Sequence, residues 1–70
     1  MTNEAMLKDA ISKSGKKKSY LANKIGVSPT HFGKLIRNKY EFTASQISIL
    51  CEELGLGIEM RDLIFFAASD

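Results

Sequence analysis

One break constrains this chain more than any other feature. Residues 19–38 read SYLANKIGVSPTHFGKLIRN, with Gly26 where one helical pattern stops and Ser28-Pro29 where the next begins. Glycine reaches the left-handed conformation that ends a helix without steric cost. Serine caps a helix start by accepting an orphaned backbone N–H. Proline suits the first helical position, where no amide donor is needed. Two helices joined by so short a connection must cross closely, and the remainder of the chain is expected to be the scaffold that holds them.

The apolar spacing around the break supports that geometry. Leu21, Ala22 and Ile25 form one face of the first helix of the pair, and the small Ala22 suits a close crossing. Val27 is placed to bury in the turn. Phe32, Leu35 and Ile36 point inward from the second helix at i, i+3, i+4. Thr30, Gly33, Lys34 and Arg37 share the opposite stripe. Asn38 is expected to close this helix in a left-handed conformation, which Asn tolerates better than most residues.

Three further helices are expected. Asn3 is an N-cap followed by Glu4 in the first turn, and Leu7, Ala10, Ile11 and Ser14 repeat at helical spacing until Gly15. Lys16-Lys17-Lys18 is a basic connector, with the next helix beginning at Lys18 or Ser19. After a loop from Lys39 to Phe42, Thr43 and Gln46 form a capping box. Ile47, Leu50, Cys51 and Leu54 follow on one face, and Gly55 stops that helix. Ile58 to Ala68 reads as a fifth helix with Met60, Leu63, Ile64 and Ala67 inward. Phe65 and Phe66 are adjacent, so they cannot both face one core. With no strand alternation, the expected architecture is all-α: one domain over residues 1–70, a compact five-helix bundle with a helix-turn-helix at about 18–38.

Charge is distributed unevenly. The interval from Lys13 to Tyr40 holds eight basic residues and no acid, whereas Glu41 to Asp70 holds six acids and only Arg61 as a base. That asymmetry points to a polyanion-binding half and a solvated acidic half. The apolar share of 44% argues against disorder. Cys51 is the sole cysteine and His31 the sole histidine. An internal disulfide is therefore impossible, and neither a metal site nor a cofactor is expected. Cys51 fits a buried small hydrophobe on its helix. No Ser/His/Asp, paired-carboxylate or phosphate-loop constellation is present, so an enzyme is not expected. No apolar run is long enough for a membrane span, and Glu4 and Asp9 interrupt any signal-like start, so a cytoplasmic protein is expected.

The pattern Leu21-Ala22-x-x-x-Gly26-Val27-Ser28, followed by Phe32, Leu35 and the Arg37-Asn38-Lys39 loop, resembles the Cro/repressor-type helix-turn-helix regulators of phages and bacteria. More weakly, the resemblance extends over about residues 4–66. It implies sequence-specific binding to a double-stranded operator through the third helix, usually as a homodimer, with no small-molecule ligand. The chain departs from the family's pattern at Lys18, where a Gln or similar polar residue is common, and at Pro29, where a polar base reader is common.

On this basis Thr30, His31 and Lys34 are the candidate base contacts, since the N-terminal part of a recognition helix enters the major groove first. Lys17, Lys18, Ser19, Ser28, Arg37, Asn38, Lys39 and Tyr40 are the candidate DNA-backbone contacts, which position without selecting sequence. Tyr40 is equally suited to partial core packing. Phe65 and Phe66 are candidate dimer contacts, with packing inside one chain as the alternative. A different class of function also fits: a protein-interaction module or antitoxin that binds a protein partner with the same fold.

Overall fold

Local signals set most helix boundaries. The computed structural model describes residues 1–66, which form α1 (Glu4–Ser14), α2 (Lys18–Lys24), α3 (Pro29–Ile36), α4 (Ala44–Leu54) and α5 (Ile58–Phe65). Strands are absent among the described residues. Asn3 caps α1 by accepting from the Met6 amide, and Gly15 ends it at φ 72°. Ser28 caps α3 by accepting from the His31 amide, with Pro29 in the first turn. The Thr43–Gln46 capping box is complete in both directions, and Gly55 ends α4 at φ 68°. Helix α2 starts at Lys18 with no side-chain cap, as the lysine run before it would dictate.

The core is one cluster drawn from every helix. Leu7 and Ile11 come from α1, Leu21 and Ala22 from α2, and Phe32, Leu35 and Ile36 from α3. Ile47 and Leu50 come from α4, and Ile64 and Phe65 from α5. Phe42 joins them from the α3–α4 loop, edge-on to Phe32 at 6.2 Å and to Phe65 at 5.5 Å between ring centroids. Such T-shaped contacts place the positive ring edge on a negative ring face. The loop is thereby bolted to both the third and the fifth helix. The assembly measures 31 × 24 × 20 Å.

Two expectations are corrected at α5. Its described part ends at Phe65, and Ala67 and Ala68 lie outside the described residues. Its inward face is Ile64 and Phe65, while Met60 is 39% and Leu63 53% exposed. Met60 borders a groove shared with α1 and with Leu54 and Leu56, which covers it only in part.

Candidate nucleic-acid interface

Helices α2 and α3 are joined through Ile25–Ser28. Gly26 adopts φ 77°, and the Val27 amide donates back to the Ala22 carbonyl at 3.0 Å. Ile25 is buried and Val27 half-buried against the core. These contacts fix how α3 leaves α2 and leave one side of α3 facing outward. Thr30 and Arg37 are exposed on that side, with Gly33 and Lys34 half-buried between them. Lys17, Lys18 and Ser19 at the start of α2, and Ser28, Lys39 and Tyr40 around α3, are also exposed.

Two cations of the basic block, Lys13 and Lys16, are already paired with carboxylates. Lys13 bonds Asp9 at 3.0 Å, and Lys8 bonds Glu4 at 2.7 Å, both i,i+4 pairs along α1. Lys16 reaches Glu53 on α4, donating to its carboxylate at 2.9 Å and to its carbonyl at 2.7 Å. Tyr20 donates to the same carboxylate at 3.0 Å, and the ammonium groups of Lys16 and Lys24 lie 5.8 and 5.5 Å from its ring centroid. These two hydrogen bonds hold the Glu53 carboxyl below its ordinary value. Among the described residues, Lys17, Lys18, Lys24, Lys34, Arg37 and Lys39 enter no ion pair, Lys24 lying over the Tyr20 ring. The cations without a carboxylate partner are thus those at the two ends of α2, on the outward side of α3, and immediately after it.

His31 and Tyr40 meet at 5.3 Å between ring centroids, tilted by 31°. Tyr40 is 54% exposed and has not entered the core. The pair draws the segment after α3 alongside the first turn of α3, so Lys39 and Tyr40 flank that helix. His31 is half-buried, whereas Thr30 is exposed.

Three of the expected contact residues carry a role within the fold. Asn38 adopts φ 65°, but its amide is spent on the N-terminal segment: its oxygen accepts from the Thr2 amide and its nitrogen donates to the Thr2 carbonyl, each at 2.9 Å. It is a clasp within the fold, with one amide hydrogen left for an outside acceptor. The Ser28 hydroxyl oxygen is likewise occupied by the cap to His31, leaving only its proton for an outside acceptor. Phe65 is 3% exposed and cannot be a dimer contact, whereas Phe66 is 57% exposed with the Arg61 guanidinium 5.7 Å from its ring.

Sequence reasoning missed the Lys16–Tyr20–Glu53 cluster. Its partners are 33 to 37 residues apart, and no local spacing links them. It also missed that the Arg37 guanidinium folds back over Gly33. A Cβ built on Gly33 would stand 3.3 Å from an Arg37 terminal nitrogen. Among the described residues no group of three or more His, Cys, Asp and Glu side chains is placed to share a metal ion. Cys51 is half-buried, and desolvation, opposed by the charge of Arg61, pushes its thiol above the ordinary value. Also among the described residues, no helix is long and apolar enough to cross a membrane.

The described chain is a small all-helical domain with a cationic face built on two closely crossing helices. No family model, curated protein or solved structure matches it.

Proposed function

We propose that the chain is a sequence-specific DNA-binding regulator of the helix-turn-helix type, a small Cro-like repressor acting in the cytoplasm, with α3 as the recognition helix. The observation that carries this proposal is the position of the unpaired cations. Lys17 and Lys18 stand at the start of α2, Lys24 at its end and Lys39 just after α3, with Lys34 and Arg37 on the outward stripe of α3 itself. A duplex laid along the stripe would meet α3 in its major groove and the flanking lysines at its phosphates. The lysines would supply affinity through counterion release, and Thr30 and Lys34 would supply sequence preference. Regulation would follow from occupancy of an operator, by blocking polymerase or a competing factor.

Binding to duplex DNA at graded salt tests this directly. The expected result is an affinity that falls steeply as salt rises. Unmeasurable binding even at low salt would sink the proposal.

A second proposal has its own support. Ile58, Met60, Leu63 and Phe66 are all exposed on or beside α5. Exposed large apolar side chains concentrated on one element favour a protein partner there, either a second copy or the target of an antitoxin-like module. Sedimentation of the isolated chain separates the two: a dimer supports the homodimeric regulator, and a monomer without duplex affinity supports the interaction module.

A further inference from the structure

Resting on the proposal that α3 faces DNA, we infer that Gly33 is a seat for the Arg37 guanidinium and that Arg37 reads a guanine from that seat. Sequence position alone would assign Arg37 elsewhere. It follows the last residue of α3 as its C-cap, where a phosphate contact is the natural expectation. Its side chain does not extend outward from there. Long side chains on a helix lean toward the N-terminus, over the preceding turn. Arg37 does this fully, and its terminal nitrogen lies 3.3 Å from the point where a Gly33 Cβ would stand. Real Cβ atoms are rarely approached so closely, so any side chain at position 33 would lift the guanidinium. The functional group therefore sits over Gly33, one turn nearer the start of α3 than its own backbone.

The guanidinium is also uncommitted. Arg37 enters no ion pair among the described residues, and the guanidinium hydrogen bonds there belong to Arg61. Glu4 feels its charge only as the smallest contribution to a carboxyl held down first by the hydrogen bond to Lys8. Arg37 thus presents a planar fork of free donors on the face proposed to enter the groove. The fork matches the paired O6 and N7 acceptors of guanine, whereas a lysine ammonium offers a point charge. Gly33 is a poor helix former in mid-helix, and the seat gives its presence a chemical use.

The test uses the full chain with two probes: a duplex recovered by selection from random sequence with the wild-type protein, and a random-sequence duplex at the same salt. Arg37→Lys keeps the charge and removes the fork. It should weaken binding to the selected duplex about tenfold or more while changing random-duplex affinity by about twofold or less. Repeating the selection with this variant should lose a guanine that the wild type requires. Gly33→Ala should shift both measurements in the same direction, with a thermal melt confirming that the helix is intact. Equal losses on both duplexes would make Arg37 a phosphate contact, and no loss would make it a bystander; either result overturns the inference and leaves the DNA-binding proposal standing. A wild-type protein that binds no duplex would remove that proposal itself, and this inference with it.

Discussion

Asn38 and Thr2 are joined by two reciprocal hydrogen bonds, each 2.9 Å, in which one side-chain amide satisfies both the backbone N–H and the carbonyl of Thr2. Nearby, the Asn3 amide donates to the Ile64 carbonyl at 2.6 Å. The N-terminal segment is therefore held against the ends of both α3 and α5. Asn is one of the few residues that accepts the left-handed backbone required at this position and also carries a paired donor and acceptor.

Replacing Asn38 separates the two roles. Asn38→Gly keeps the backbone free to adopt φ 65° but breaks the clasp, and should cost about 1 kcal/mol of stability. Asn38→Ala adds the left-handed penalty and should cost about 2 kcal/mol. Urea unfolding measures both. Duplex affinity of the folded variants should stay near wild type. A large affinity loss at unchanged stability would show that Asn38 contacts DNA as well as Thr2.

The Lys16–Tyr20–Glu53 cluster makes a prediction in pH. Hydrogen bonds from Lys16, then from Tyr20, hold the folded Glu53 carboxyl below its ordinary 4.5. A carboxylate whose pKa is depressed by folding adds stability above its unfolded pKa, and that contribution is lost as pH falls through the lower folded value. Wild type should therefore lose more stability than Glu53→Gln between neutral pH and the region below about 4.5. The other carboxylates are common to both proteins, so the difference isolates Glu53. Superimposable unfolding midpoints across that range would show that the contact is without net weight.

Which parts of this molecule were legible in its sequence follows from the range of the interactions. Asn3, Ser28 and the Thr43–Gln46 box act within three residues, and Gly15, Gly26, Gly55 and Asn38 act on their own backbone. Each of these could be placed before any coordinates. Phe42 could not, because it is buried from a loop and carries no helical period. The face of α5 was misjudged because periodicity indicates which residues share a side, but not how much of that side a neighbour reaches. On the candidate interface, charge composition located the cationic half but could not show that Lys13 and Lys16 are already spent on Asp9 and Glu53. The folded-back Arg37 was likewise hidden, since its position in the chain and the position of its guanidinium differ by a helical turn.

Gly33→Ala should stabilise the fold even as it disturbs the outward stripe. The Cβ would meet only the far end of the Arg37 side chain, which can swing away at little cost. Alanine in a helix interior is favoured over glycine by about 1 kcal/mol. Thermal unfolding should therefore show a higher midpoint for the variant. A lower midpoint would mean that Arg37 contributes more to the fold where it lies than alanine's helical preference returns.

Lys34 and Lys17 are proposed to differ in kind, and paired measurements on selected and random duplexes expose the difference. Lys17 is exposed at the N-cap of α2, where it is proposed to face only phosphate. Lys17→Ala should weaken every duplex similarly and reduce the slope of log affinity against log salt by about 1, the value for one phosphate contact. Lys34 is half-buried on the outward stripe of α3, beside Gly33 and one turn beyond Thr30. Lys34→Ala should reduce affinity for the selected duplex by about 1–3 kcal/mol, with a much smaller loss on random sequence. Equal losses on the two duplexes for Lys34→Ala would place Lys34 with the phosphate contacts and leave Thr30 and Arg37 to carry sequence preference.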